Sequence, residues 1–246
     1  MVNDLIKTLY EMNLTDMVYN IFFGLGFVSV FCVIFWFGKK LNLKPMQSVL
    51  TVLIVYPVVV AWMFILFWIE SGFTVFGGNN IVRVFIYIPL VAYPVSKLLK
   101  IEWNKICSLL AFGPVSVHAI SHFGCIFAGC CRGYRCSWGI YNVIIEDYCF
   151  PIQPIEAIGA LAIIVYLIIR AKKRNYVPDG REFPLMLALF GSTRFIFEFF
   201  RDNGKILLGC SSLSFHALFM FFVGVVWLVV LWRMGKPKAE GLEANV

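Results

Sequence analysis

The sequence has few charged residues. Asp, Glu, Lys and Arg make up 14% of its 246 residues, whereas 61% are hydrophobic and the mean hydropathy is +0.84. Water-soluble globular domains carry about 25% charged residues, so this composition excludes that class. The scarcity of charge leaves apolar runs long enough to cross about 30 Å of hydrocarbon. We therefore predict an integral membrane protein.

No cleavable signal peptide is visible at the start of this sequence either. The first 16 residues are polar and mixed in charge, and the first apolar run already has the length of a span, so we expect this span to be retained. We predict an all-α polytopic membrane protein with about seven transmembrane helices, forming one domain over residues 1–236 and followed by a polar, disordered tail over 237–246. The predicted spans are 17–38, 46–69, 82–99, 105–128, 152–170, 183–200 and 212–233.

Acidic residues are fewer than basic ones, and the formal net charge is +7. When the connections between spans are numbered alternately, fourteen of the 21 lysines and arginines fall on one side of the membrane and six on the other. Basic loops stay in the cytoplasm. The distribution therefore predicts an outside N-terminus and a cytoplasmic C-terminus, and it explains the basic balance without a nucleic-acid partner.

Ionisable and polar side chains within the predicted spans are rare. Each is costly in lipid and is by default a functional candidate. They occur in the fourth span, at the start of the fifth and in the sixth: His118, His122 and Cys125; Gln153 and Glu156; Arg194, Glu198 and Arg201. The first three lie on one helical face, since they are spaced by four and three residues.

The sixth span contains two arginines and one glutamate. Arg194 and Glu198 are four residues apart and are expected to pair along their own helix. Arg201 lies nearly two turns after Arg194 on the same side. Two guanidinium groups against one carboxylate leave a positive charge, which suits an anionic headgroup or phosphate.

The eight cysteines lack the paired C-x2-C spacing of common zinc modules. The topology places Cys130, Cys131, Cys136 and Cys149 at or beyond the outer face, where thiols can be oxidised. We predict disulfides among these four and assign no metal. His118, His122 and Cys125 keep open a second class of function, a membrane Cys/His metal or thiol-redox protein.

From about residue 105 to 233 the sequence resembles the bacterial prolipoprotein diacylglyceryl transferases. "RFIFEFFRDN" (194–203) followed by "SLSFHALF" (212–219) is the most specific part, and "FGCIFAGCCRG" (123–133) resembles a cysteine-containing variant of the family signature. The resemblance implies transfer of a diacylglyceryl group from phosphatidylglycerol to the lipobox cysteine of a preprolipoprotein, or to another acceptor. It further implies a bacterial plasma (inner) membrane location, no cofactor, and an anionic phospholipid and a preprolipoprotein signal peptide as partners.

The resemblance also assigns residues by position. Arg194 and Arg201 match arginines at the donor headgroup, with Glu198 between them, and we expect His122 to accept a proton or bind phosphate. These four are the predicted catalytic residues. The predicted substrate-binding residues are Gly124, Cys125, Gly129, Gln153, Glu156 and His118.

Four positions differ from the family pattern. His122 stands where the signature usually has arginine, Cys125 replaces an asparagine, and Phe150 replaces a histidine before proline. A His-Gly-Gly motif expected near the third span is replaced by "FGGNN" (76–80). These departures keep open a non-catalytic lipid- or peptide-binding protein on the transferase scaffold.

Overall fold

The computed structural model describes residues 1–70, 72–74, 85–202 and 211–235. In these ranges the chain forms nine α-helices, one 3-10 turn at Phe85–Tyr87 and one β-hairpin. The helices are α1 Val2–Glu11, α2 Thr15–Lys40, α3 Pro45–Glu70, α4 Ile88–Leu98, α5 Trp103–Leu110, α6 Phe112–Ala128, α7 Ile152–Lys173, α8 Glu182–Glu198 and α9 Ser212–Arg233. The hairpin strands are β1 Arg135–Asn142 and β2 Asp147–Cys149.

Five helical stretches are long and apolar enough to cross a membrane. They are Thr15–Lys40, Pro45–Leu66, Trp103–Ala128, Ile152–Lys173 and Ser212–Arg233. They coincide with five of the predicted spans and confirm an α-helical polytopic membrane protein. Its number of spans and its orientation stay predictions.

The other two predicted spans correspond to shorter helices. The span 82–99 is described from residue 85 onward and is an apolar helical stretch, Phe85–Leu98. The span 183–200 is α8, which has 17 residues and contains two glutamates and an arginine. The predicted disordered tail and the "FGGNN" motif lie outside the described residues.

Helix α6 lies at the centre of the helical assembly. The stretch formed by α5 and α6 is 83% buried, against 22–39% for the other four. Helices α2 and α7 pack on α6, and α8 pairs with α9. In lipid such contacts depend on small residues that let backbones approach. A Cβ atom on Gly191 would lie 2.6 Å from the backbone nitrogen of Phe221, so α8 and α9 meet backbone to backbone.

The long central helix is interrupted between α5 and α6. Pro114 has no N–H group to donate to the carbonyl oxygen of Leu110, where α5 ends. A proline ring is tolerated only in the first turn of a helix, so a new helix begins here. Nearby, Phe37 of α2 packs on Phe112 with ring centroids 4.4 Å apart. The break therefore falls inside the main hydrophobic core.

The segment between α6 and α7 forms an antiparallel hairpin, which the sequence analysis treated only as a loop. Tyr141 pairs with Tyr148, and the register is irregular between Arg135 and Ile140. Asn3 of α1 fastens the hairpin: its Nδ2 donates to the Gly139 carbonyl oxygen at 3.1 Å, and its Oδ1 accepts from the Tyr141 N–H at 3.0 Å. This lid of hairpin and α1 lies against the end of α6.

Candidate active site

Glu156 of α7 is the centre of a buried polar cluster. Its carboxylate is 2% exposed and accepts hydrogen bonds from Arg194 Nη1 and from Arg201 Nε at 3.0 Å and Nη2. The Nδ1 atom of His122 lies 3.0 Å from Glu156 Oε2. One carboxylate thus links α6, α7 and the end of α8, and the two Arg201 contacts are bidentate.

Glu198 is the second carboxylate of the cluster. Its Oε2 lies 3.3 Å from Arg194 Nη2 and 3.8 Å from Arg201 Nε. Its Oε1 accepts a hydrogen bond from Ser211 Oγ at 2.6 Å. Ser211 also caps α9, in a reciprocal capping box with Ser214. The start of α9 is therefore attached directly to the site.

Arg201 lies beyond the end of α8 and is held by the segment that follows α6. The Tyr134 N–H donates to the Phe200 carbonyl oxygen at 3.1 Å, and Gly133 forms a bridge with Arg201. A Cβ atom on Gly133 would lie 2.5 Å from the carbonyl oxygen of Phe150. Only glycine permits this crossing, which holds the backbone of Arg201 against the segment after α6.

Both predicted histidines belong to the cluster. His118 and His122 stack one turn apart on α6 with ring centroids at 3.9 Å, and both are buried. His118 Nε2 lies 3.9 Å from Glu156 Oε2, and its ring packs edge-on against Phe190 at 4.7 Å. His122 is thus closer to the carboxylate than His118 is.

The charges of the cluster balance. The sequence analysis counted one carboxylate against two arginines, whereas α7 brings Glu156 between Arg194 and Arg201. With neutral histidines, two guanidinium groups face two carboxylates. The expected excess of positive charge is therefore wrong, because a helix distant in sequence supplies the second counter-ion.

Gly129 and Gln153 support the chain that follows α6. Gly129 ends the helix with φ +68°, a left-handed conformation that favours glycine. Its carbonyl oxygen accepts from Asn142 Nδ2 at 2.7 Å, and Gln153 Nε2 donates to the Cys130 carbonyl oxygen at 3.1 Å. Both residues therefore shape the backbone beside the cluster.

Gly124 packs against α2. A Cβ atom there would lie 2.9 Å from Phe22 Cβ and 3.1 Å from the Tyr19 carbonyl oxygen. These neighbours belong to α2, so the absence of a side chain at Gly124 lets α2 and α6 approach closely. The substrate-binding role predicted for Gly124 stays a prediction.

Comparison with known protein families identifies one that matches most of the chain. The family described as prolipoprotein diacylglyceryl transferase matches residues 9–231. The chain belongs to the prolipoprotein diacylglyceryl transferase family. The match begins almost a hundred residues before the resemblance found from residue 105, so the first helices are part of the family's scaffold too. This membership makes the protein a member of a transferase family.

A curated relative of the diacylglyceryl transferase family is also similar. It is phosphatidylglycerol–prolipoprotein diacylglyceryl transferase 2 of Clostridium perfringens (strain 13 / Type A), 24% identical over 152 residues. The alignment covers 58% of this chain, which spans 57% of the relative's length. No solved structure matches the chain.

Two departures from the diacylglyceryl transferase pattern now have structural settings. His122, at the position of the usual arginine, contacts Glu156 directly. Phe150, at the position of the usual histidine, stacks between Tyr134 and Phe200 with ring centroids 5.2 and 5.4 Å away. One replacement keeps a polar contact, whereas the other makes the neighbouring surface aromatic.

The cysteines at this end of the transferase scaffold form two groups. Cys125, Cys130 and Cys131 lie together beside His122, whereas Cys136 and Cys149 lie on the hairpin. All described cysteines are free thiols, and Cys210 lies outside the described residues. Burial raises the pKa of Cys149. The disulfides predicted among Cys130, Cys131, Cys136 and Cys149 stay a prediction.

The sequence analysis missed three supporting residues of this family member. Ser211 binds Glu198, Asn142 holds the Gly129 carbonyl oxygen, and Asp202 pairs with Arg132 at 3.1 Å. A serine three residues before another serine and directly before an apolar run is a signal for a helix cap. The other two contacts bridge distant segments and leave no local pattern.

Proposed function

We propose that this protein transfers a diacylglyceryl group from phosphatidylglycerol to the thiol of a lipobox cysteine in a preprolipoprotein, at the bacterial inner membrane. Family membership supports the reaction class, and the relative from Clostridium perfringens is named for phosphatidylglycerol as the donor and a prolipoprotein as the acceptor. The buried cluster around Glu156 is the part of the chain whose chemistry fits this reaction.

An unpartnered guanidinium nitrogen carries the proposal. Arg194 is 5% exposed, and among the described residues none accepts a hydrogen bond from its Nε atom. Leaving a buried donor unpaired costs about 1–3 kcal/mol, and more for a charged group. An anionic phosphate oxygen would accept from Arg194 Nε, while the other nitrogens named above stay on Glu156 and Glu198. We therefore assign the donor headgroup to the space beside Arg194 and Arg201.

His122 is the proposed proton acceptor. When the proton is on Nδ1, which lies 3.0 Å from Glu156 Oε2, the Nε2 atom carries the lone pair. The acceptor thiol gives its proton to Nε2, its sulfur forms a bond to the glycerol carbon, and the bond from this carbon to the phosphate oxygen breaks. Glycerol phosphate leaves, and Arg194 and Arg201 stabilise its charge as it develops.

The test is an assay of the purified protein with labelled phosphatidylglycerol and a lipobox peptide. We expect a thioether-linked diacylglyceryl peptide, with turnover falling by about 10²–10⁴ in His122→Gln because a general base contributes that much. Arg194→Ala should lose both turnover and binding of the lipid. His216→Gln is a matched control, since His216 sits in α9 with its Nδ1 atom 2.7 Å from the Ser212 carbonyl oxygen.

A second control removes an arginine from the hairpin. The side chain of Arg135 is 65% exposed, and its contact with Asp147 is long, at 3.9 Å. Arg135→Ala should therefore leave turnover unchanged. Full activity in both Arg194→Ala and His122→Gln would refute the assigned roles. Absence of any lipidated peptide with the parent protein would refute the proposed reaction.

The aromatic replacement at Phe150 favours a second candidate, a lipid-binding protein without turnover. The phenyl ring of Phe150, stacked between Tyr134 and Phe200, offers no proton donor or acceptor at the position where the resembling enzymes have a histidine. In this case phosphatidylglycerol would co-purify with the parent protein and be lost in Arg194→Ala, while no thioether product would form.

A further inference from the structure

Three cysteine thiols and one imidazole meet where α6 ends. The ligand atoms of His122, Cys125 and Cys131 all lie within 4.8 Å of one another. Cys130 is close enough for its thiol to hydrogen-bond with those of Cys125 and Cys131. This group, His122, Cys125, Cys130 and Cys131, is called the thiol cluster below.

The backbone after α6 is bent in a way that creates the cluster. Gly129 and Cys131 both have left-handed conformations, with φ +68° and +55°. Positive φ is uncommon for a residue other than glycine, and such strain persists where the surrounding structure holds it. The two turns reverse the chain, so Cys131 comes back to His122 and Cys125, which are one turn apart on the helix.

The donor set suits a soft metal ion. Thiolate sulfur selects Zn²⁺ and Cu⁺, and imidazole nitrogen binds both. His122 and Cys125 are buried, whereas Cys130 and Cys131 are only partly buried, so part of the cluster is accessible from outside the protein. Three close ligands plus a neighbouring fourth thiol match the number of ligands in tetrahedral zinc sites.

Electrostatics separates this cluster from its neighbour. His118, His122 and Glu156 also lie within 4.8 Å of one another. Glu156, however, already faces the guanidinium groups of Arg194 and Arg201, which would repel a metal ion. At the thiol cluster, two thiolates neutralise a divalent ion or leave a monovalent one with a negative charge. Arg201 faces Cys131 as well as Glu156, but at the thiol cluster two thiolates offset its charge, whereas Glu156 is already paired with two arginines.

We propose that His122, Cys125 and Cys131 bind one soft metal ion, Zn²⁺ or Cu⁺, with Cys130 as the neighbouring fourth ligand. The inference rests on the geometry of these four residues and does not require the proposed transferase activity. An ion on His122 would occupy the imidazole that the proposed reaction uses as its base, so the reaction belongs to the metal-free protein. The proposed site departs from the sequence-based expectation of no metal site, because the backbone reversal at Gly129 and Cys131 cannot be read from cysteine spacing.

The test uses the untagged, full-length protein in detergent, reduced and freed of metal with a chelator under anaerobic conditions. Separate titrations with Zn²⁺ and Cu⁺, followed by elemental analysis after gel filtration, should give one equivalent of at least one of the two ions. Titration with Co²⁺ should produce absorption from sulfur-to-metal charge transfer, which reports thiolate ligands directly.

Matched cysteine variants locate the ion. Cys125→Ser and Cys131→Ser should each weaken metal binding by more than about 10-fold. Even the loss of a residue that only hydrogen-bonds to a metal ligand lowers metal affinity by about 10–100-fold. Cys32→Ser and Cys107→Ser should bind like the parent, because Cys32 lies on α2 and Cys107 on α5. Thermal unfolding of the metal-free forms establishes that each variant folds. If a cysteine variant does not fold, His122→Gln takes its place as the ligand variant in the titration.

Two results would overturn the proposal. The first is absence of stoichiometric Zn²⁺ and Cu⁺ from the reduced parent protein. The second is equal binding by the parent and by folded Cys125→Ser and Cys131→Ser proteins, which would place the metal elsewhere. Loss of the metal with retained lipid transfer would leave the proposed function intact, so the two conclusions can fail independently.

Discussion

At the scale of single residues, Glu156 holds the site together. It is almost fully buried and accepts hydrogen bonds from two arginines of the same chain segment. Removing one partner of a buried ion pair is costly because the remaining charge stays buried without compensation. Here the loss would leave Arg194 and Arg201 facing the single carboxylate of Glu198, with one positive charge in excess.

We expect Glu156→Ala to lower the free energy of unfolding by about 3–5 kcal/mol, the usual cost of breaking a buried ion pair. Thermal unfolding in detergent measures the change. Glu102→Ala is the control, since its carboxylate is 71% exposed and pairs with Lys105 at 2.9 Å. A Glu156→Ala protein as stable as the Glu102→Ala protein would contradict this account.

At the scale of elements, the contact between the segment after α6 and the end of α8 positions Arg201. Gly133 lies under the Phe150 and Phe200 carbonyl oxygens, at 2.5 and 3.1 Å from a Cβ atom placed on it. Because both neighbours are backbone atoms, a larger residue must displace a whole segment. The site therefore depends on a crossing between elements that are far apart in sequence.

Gly133→Ala should destabilise the fold by about 1–3 kcal/mol, as overpacking does, and should reduce turnover through Arg201. Differential scanning fluorimetry and the lipid-transfer assay measure the two effects. Gly24→Ala is the matched control, because a Cβ atom there has no neighbour within 4 Å. Equal behaviour of the two variants would show that the crossing has no such role.

A second ionic cluster joins α7 to α8 at the opposite end. Asp179 accepts from Arg170 Nη2 at 2.7 Å and from the Arg181 N–H at 3.0 Å. Glu182 accepts from Ser108 Oγ at 2.6 Å and also pairs with Arg170. Burial raises the pKa of Asp179, but the hydrogen bonds from Arg170 and Arg181 outweigh it and hold the pKa below its usual value.

This shift predicts an acid-sensitive stability. An aspartate with a lowered folded pKa stabilises the protein above its unfolded pKa, about 3.9, and loses this contribution as pH falls through the folded pKa. Asp179→Asn should cost about 1–3 kcal/mol at pH 7 and should show a weaker loss of stability between about pH 5 and 2. Unfolding measured across this pH range tests the prediction. The same pH dependence of the free energy of unfolding in the parent and the variant would contradict it.

At the scale of the whole molecule, the orientation in the membrane is a prediction from the basic residues. A cytoplasmic C-terminus places Arg233 at the end of α9 on the inner side, with the α1 and hairpin lid outside. The proposed headgroup site lies near the lid, so it would face the outer leaflet. That residues 1–236 form one domain also stays a prediction.

Reporter fusions after residue 235 test this orientation. A green fluorescent protein fused there should fluoresce in cells, and an alkaline phosphatase fused there should be inactive, because the first matures in the cytoplasm and the second needs an oxidising compartment. A phosphatase inserted at Glu146, in the turn of the hairpin, should be active and serves as the control. The reverse pattern would invert the topology.

Local patterns predicted most of the helices and most of the polar candidates. The apolar runs at 17–38 and 212–233 correspond to α2 and α9 because length and hydropathy are properties of contiguous sequence. His122, Glu156, Arg194 and Arg201 were recognised because ionisable residues within a span are rare. The hairpin was not recognised, since its pairing depends on α1 and on an irregular register.

By itself the sequence determined that this is a helical membrane protein and which side chains carry its polar chemistry, because composition and spacing decide what lipid tolerates. Only the tertiary structure decided how these groups combine. Glu156 neutralises arginines 38 and 45 residues away, and a left-handed Cys131 returns to Cys125 and His122. Such contacts follow from helix packing and backbone reversal, which no local pattern contains.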